Sequence, residues 1–161
     1  MAFVWTPDLL CRVRDYPHLL GHMVGKTKLK ALHSDWCKMV WDSPGGRHFS
    51  LMAHRGAYKT TAITEMGIIY HLLFHPSDRI ALIRETYTEA AKTLDTIKKY
   101  MESPALKSLF AFAHHKEPFA VRSPEGSVLY SFKRTVTKEN SIDAYGINQV
   151  PTGSHYDRIL C

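Results

Sequence analysis

Phe49-Ser50-Leu51-Met52-Ala53-His54-Arg55-Gly56-Ala57-Tyr58-Lys59-Thr60-Thr61 decides the fold. The apolar run from Phe49 to Ala53 predicts a short buried strand. Beyond the turn, Ala62, Ile63, Met66, Ile69, Tyr70 and Leu73 follow helical spacing. Working outward, His75-Pro76-Ser77-Asp78 reads as a turn, and Arg79 to Arg84 as a second strand, apolar throughout and bounded by charge. Thr86 can cap the next helix, with Glu89 completing a capping box, and Tyr87, Ala90, Ala91, Leu94, Ile97 and Met101 form its apolar stripe. Upstream, Leu29, Leu32, Trp36 and Val40 mark one helical face, stopped by Ser43-Pro44-Gly45-Gly46. Residues 7–20 read as a short helical segment, ended by Pro17 or Gly21 and followed by a glycine-bearing connector. Ala105 to Phe112 predicts another helix, and Phe119–Val121 with Val128–Phe132 predict a hairpin. Residues 135–154 are polar and turn-rich, and Ile159-Leu160-Cys161 begins a last strand. Strand, loop, helix, strand, helix in this order predicts an α/β fold, a largely parallel sheet flanked by helices.

Composition sets the limits of this reading. The 161 residues carry 21 Lys+Arg against 15 Asp+Glu, a formal charge of +6. A basic surface of this kind admits nucleic acid, nucleotide phosphates or an acidic membrane as partners. Cys11, Cys37 and Cys161 are widely spaced and form no metal-ligand pattern, which fits reduced thiols rather than a disulfide framework. No stretch approaches the length of a bilayer span, and the N-terminus lacks the pattern of a secretory signal. The expectation is a soluble, cytoplasmic protein.

The turn itself carries the chemistry. In the pattern G-x-x-x-x-G-K-[ST], successive backbone N–H groups converge on phosphate at a helix N-terminus, the lysine reaches the outer phosphates and the hydroxyl ligates Mg²⁺. Ala53-His54-Arg55-Gly56-Ala57-Tyr58-Lys59-Thr60 fills the eight positions, with Lys59-Thr60 matching and Ala53 and Tyr58 replacing the two glycines. The Tyr58 side chain must point away from the loop's hollow, or it blocks the approach of phosphate. The plain alternative is a basic turn entering a helix, with Thr60 or Thr61 as N-cap.

The run His54-Arg55-Gly56-Ala57-Tyr58-Lys59-Thr60-Thr61 resembles the deviant Walker A loop of phage terminase large subunits, the ATP-driven DNA-packaging motors. Arg79 to Met101 resembles the strand and helix that follow that loop. Thr137 to Gly146 with Gly153 to Leu160 resembles the stretch leading into Walker B. The resemblance covers about residues 29–161 and implies an N-terminal helical segment (1–26) followed by a partial P-loop ATPase domain (27–161). It implies ATP and Mg²⁺ as cofactors, with Arg55, Gly56, Ala57, Tyr58, Lys59, Thr60 and Thr61 at the nucleotide and Thr60 on the metal. Arg55 would be a cis arginine that stabilises charge on the transferred phosphoryl group. The implied partners are duplex DNA, a terminase small subunit and a portal protein, with a homo-oligomer in the intact motor and no membrane. The setting would be the cytoplasm of a phage-infected or prophage-bearing cell.

The family's Walker B acidic pair follows a run like Arg158-Ile159-Leu160-Cys161, where this sequence stops. The expectation is therefore an ATPase domain cut before Walker B and without the family's nuclease, binding nucleotide weakly and hydrolysing negligibly. Asp157 precedes the apolar run and cannot serve, and Glu85 follows Arg84, which occupies the place of the metal carboxylate. His71 and His75 have i,i+4 spacing, but a helix-end role is commoner than zinc. Trp5, Trp36 and Trp41 read as core, His114-His115 as a solvated loop, and Lys92, Lys98, Lys99 and Lys107 as a solvated or DNA-facing surface. A second reading is a non-enzymatic, basic α/β module that binds DNA or another polyanion and carries a degenerate loop. A third is a piece of an unrelated P-loop kinase or helicase.

Overall fold

Every residue from Met66 to Leu73 is buried, so the helix after the loop is apolar all round and lies inside the molecule rather than on it. The computed structural model describes residues 4–44, 50–115, 119–122, 128–131, 140–149 and 155–161. Along the chain, α1 (Pro7–Asp15), α2 (His18–Met23) and α3 (Ala31–Trp41) precede the loop. A π-helical turn (Thr60–Glu65) then runs into α4 (Met66–Phe74). After it come β1 (Ile80–Arg84), α5 (Tyr87–Met101), α6 (Pro104–His114), β2 (Phe119–Arg122), β3 (Val128–Ser131), β4 (Ile142–Gly146) and β5 (Arg158–Leu160).

The main sheet has the order β4-β1-β5 with both pairings parallel, Leu82 lying opposite Ala144 on one side and Leu160 on the other. Strands β2 and β3 form a separate antiparallel pair, as the hairpin reading expects. The fold is thus α/β with a small parallel sheet flanked by helices. Val13, Leu20, Leu72, Leu82, Leu94 and Phe110 belong to one hydrophobic cluster, so the N-terminal helices share their core with the sheet. No helix among the described residues is long and apolar enough to cross a membrane.

One expectation is narrowed and two change. Of the two stops read for the segment 7–20, Pro17 is the one that breaks it: Tyr16 leaves the helical region (φ −129°, ψ 71°), as the residue before a proline is sterically driven to do. Residues 50–53 of the expected first strand join no ladder, and Phe49 lies outside the described residues. Met52 is 92% exposed, so the run lacks the burial on both faces that a parallel strand requires. Conversely, β4 sits inside the stretch read as polar and turn-rich, of which 135–139 and 150–154 lie outside the described residues. Its second residue, Asp143, is a poor strand former, and tertiary contacts accommodate it. Its carboxylate accepts from Asn140 Nδ2 at 2.7 Å and Tyr156 Oη at 2.8 Å, and lies 3.7 Å from the Arg79 guanidinium.

Two ties hold the helices around the loop. The Trp41 indole N–H donates to the Ile63 carbonyl at 2.8 Å, pinning α3 to the π-helical turn. Arg158 donates to the Ser43 carbonyl at 3.1 Å, pinning β5 to the end of α3. Thr86 caps α5 by accepting from the Glu89 amide at 3.3 Å, as its sequence position predicts. Trp41 is core; Trp5 and Trp36 are half-buried. Trp5 donates to Ser108 Oγ at 2.8 Å and the Trp36 ring meets His33 edge-on at 5.2 Å.

Candidate functional site

The loop owes its shape to alternating backbone handedness. Gly56 (φ 88°) and Tyr58 (φ 55°) are left-handed and Ala57 between them is not. Such alternation turns successive peptide N–H groups toward one concavity, the geometry of an anion nest. For glycine the conformation carries no Cβ penalty. For tyrosine it is strained, so residue 58 holds a backbone conformation that glycine adopts more readily. The Tyr58 ring is 40% exposed and lies 6.5 Å, edge-on, from the His33 ring.

Residues 53–61 line an open hollow of about 620 Å³. Lys59 enters the π-helical turn in helical conformation, and its ammonium donates to the Ala53 carbonyl at 2.9 Å. The lysine thereby spans the loop from its seventh position back to its first. The positive end of a helix disfavours a cation, and the loop carbonyl is what compensates for it here. Exchanging that single carbonyl for an anionic oxygen gives a stronger, charge-assisted bond.

His33, on the first turn of α3, braces the loop from outside. Its Nδ1 accepts the Lys30 amide at 2.9 Å, which places the proton of the neutral ring on Nε2, and Nε2 donates to the Ala57 carbonyl at 3.2 Å. Sequence reasoning missed this residue; its only signal was a position near a helix start, which says nothing about a contact 24 residues away. The Ala57 amide, expected to face phosphate, instead donates to the His54 carbonyl at 3.3 Å. Arg55 and Thr60 are exposed on the hollow. Thr61 lines it too, and its hydroxyl also bonds the Glu65 carboxylate one turn along. Burial pushes the Glu65 carboxyl above the usual range, against the pull of Lys26, Thr61, Tyr100 and Arg84.

A second cavity of about 310 Å³ adjoins the first at Lys59 and Thr60, and its other walls include Thr64, Arg84 and Leu160. Both β1 and β5 direct their C-terminal ends at it, the end of a parallel sheet at which α/β proteins place ligands. Glu85 is exposed and lies outside both linings, while Asp157 sits at the opposite end of β5, accepting the Arg79 amide at 2.7 Å. Among the described residues, neither cavity has an Asp or Glu side chain in its wall, and Cys161 contributes to that of the second.

His71, in α4, and His75, just past its end, line neither cavity. His71 is buried, stacks on His75 at 4.8 Å and pairs with Asp78 at 2.8 Å. Burial lowers its basicity more than Asp78 restores it. No group of three His, Cys, Asp or Glu side chains suited to a metal occurs among the described residues. Lys92 and Lys99 are exposed on α5, Lys98 lies 3.8 Å from Glu102, and Lys107 is half-buried on α6. The buried Cys37 thiol is pushed well above its usual range by desolvation. The chain matches no family model, no curated protein and no solved structure.

Proposed function

We propose that residues 53–61 are the phosphate-binding loop of a P-loop-type ATP-binding domain, and that this domain is the nucleotide-binding part of a DNA-packaging motor of the terminase large-subunit kind, which couples hydrolysis to DNA movement when intact. The observation that carries the loop assignment is the nest at Gly56–Tyr58, closed by the Lys59–Ala53 bridge and opening onto a hollow at the entry of a buried helix.

Each residue then has a task. Backbone N–H groups of Gly56 and Tyr58–Thr60, with the Ala57 amide already taken by the His54 carbonyl, and the Lys59 ammonium hold the triphosphate tail, and Thr60 supplies a hydroxyl for Mg²⁺. Bound magnesium supplies charge neutralisation between the outer phosphates. Arg55, exposed on the hollow, offers a guanidinium to charge developing on the terminal phosphoryl group. His33 holds the Ala57 carbonyl turned out of the nest, and α4, locked in the core, keeps the loop's exit rigid. The resemblance to packaging motors supplies the rest of the proposal: hydrolysis coupled to movement of duplex DNA, with a small subunit and a portal protein as partners in a homo-oligomeric motor. The formal charge of +6 suits a DNA partner.

The test is titration of the chain with a fluorescent ATP analogue, with and without Mg²⁺, beside Lys59→Ala. Saturable binding that the substitution abolishes is the expected result. Equal binding by both proteins overturns the loop assignment. Affinity for duplex DNA with a steep salt dependence, and no response to nucleotide, marks the chain instead as a basic DNA-binding module.

A further inference from the structure

Two cations from different elements converge on the cavity beside the loop. Lys59 reaches it from the loop, and Arg84 reaches it from the C-terminal end of the central strand β1. Among the described residues Arg84 is held by one neutral contact, donating to Thr64 Oγ1 at 3.1 Å. Among the described residues no carboxylate lies at ion-pair distance from it; Glu65 acts on it only from further off. A guanidinium has five donors in a planar fork, so this single hydroxyl leaves most of its capacity unused. The cavity, about 310 Å³, has room for roughly ten water-sized volumes, enough for a phosphate group and its hydration. It joins the loop's hollow at Lys59 and Thr60. A phosphate chain seated on the nest and passing Lys59 therefore runs toward Arg84.

We propose that Arg84 binds the terminal phosphate of the nucleotide, so that the site takes nucleoside triphosphates in preference to diphosphates. The proposal rests on the assignment of residues 53–61 as the phosphate loop and adds the element that reads phosphate number. A diphosphate ends near Lys59 and leaves Arg84 on Thr64. A triphosphate replaces that neutral contact with a charge-assisted, two-pronged one. The tail then touches both the loop and the central strand, and its loss on hydrolysis would free β1 from the loop.

Calorimetric titration with ADP–Mg²⁺ and with a non-hydrolysable ATP analogue tests this on the unaltered chain, Arg84→Gln and Lys59→Ala. The expected result is a triphosphate preference that shrinks about tenfold in Arg84→Gln, the loss of one charge-assisted contact. Lys59→Ala is expected to lose both ligands. An unchanged preference in Arg84→Gln, with both ligands lost in Lys59→Ala, overturns the role of Arg84 alone. Unchanged binding of both ligands by Lys59→Ala overturns the loop assignment beneath it. Should Arg84→Gln fail to fold, phenylglyoxal labelling of the unaltered chain decides: the triphosphate should shield Arg84 and ADP should not. Equal labelling under the two nucleotides overturns the proposal.

Discussion

Tyr58 stands where a phosphate loop ordinarily has glycine, in a left-handed conformation (φ 55°) and 40% exposed. Replacing it by alanine and by glycine separates the backbone cost from the contribution of the ring. Both variants lose the same edge contact with His33, worth about 0.5 kcal/mol for a partly exposed aromatic pair. They differ only in a Cβ held in the left-handed region, which costs about 1–2 kcal/mol, against the extra unfolded-state freedom of glycine, about 0.4–1 kcal/mol. The difference favours Tyr58→Gly over Tyr58→Ala by about 0.8 kcal/mol, or about 2–3 °C in melting temperature for a chain of this size. Relative to the natural chain, Tyr58→Gly should be close to neutral and Tyr58→Ala mildly destabilised. Urea titration read by tryptophan fluorescence measures all three. If Tyr58→Ala equals or exceeds Tyr58→Gly in stability, residue 58 is not held left-handed and the nest is not preformed.

Other consequences are more local. A Cβ added at Gly67 would lie 2.1 Å from Trp41 Nε1 and 2.7 Å from Trp41 Cδ1, so Gly67→Ala should displace the indole and destabilise by about 2–3 kcal/mol through overpacking and loss of its bond to Ile63; chemical denaturation and the tryptophan emission maximum report this. Burial raises the Glu65 carboxyl above its unfolded value, so its folded form favours the proton, and stability present below about pH 4.3 is lost as pH rises through the folded value. Glu65→Gln should therefore melt higher at pH 7, with the gain vanishing toward pH 4. His71 is shifted the other way: burial, outweighing Asp78, depresses its basicity, so the stability it contributes is complete above its unfolded value near 6.5 and is lost as pH falls below it. Melting temperatures between pH 7.5 and pH 5 should drop more steeply in the natural chain than in His71→Gln.

Helices α3, α4 and α5 could be read from residue order because their apolar positions repeat at helical spacing and their starts and stops are chemically local. Strand β1 was equally legible, being apolar throughout and bounded by charge. Strand β4 was not: Asp143 belongs in a strand only because Asn140, Tyr156 and Arg79 surround it. The segment before the loop failed in the opposite sense. Leu51, Met52 and Ala53 carry the right residue types, but strand formation also needs a neighbouring strand with which to pair, and hydropathy does not supply one.

The loop divides in the same way. The proposal of an anion-binding turn rests on Lys59 and Thr60 by type and spacing alone, since an ammonium and a hydroxyl at a helix entry can be read without coordinates. That Tyr58 is left-handed, that His33 braces Ala57, and that Arg84 shares a cavity with Lys59 are all consequences of packing. They arise where α3, the π-helical turn and the end of β1 meet, because distances between residues far apart in the chain are set by how the core closes, and no local pattern encodes them.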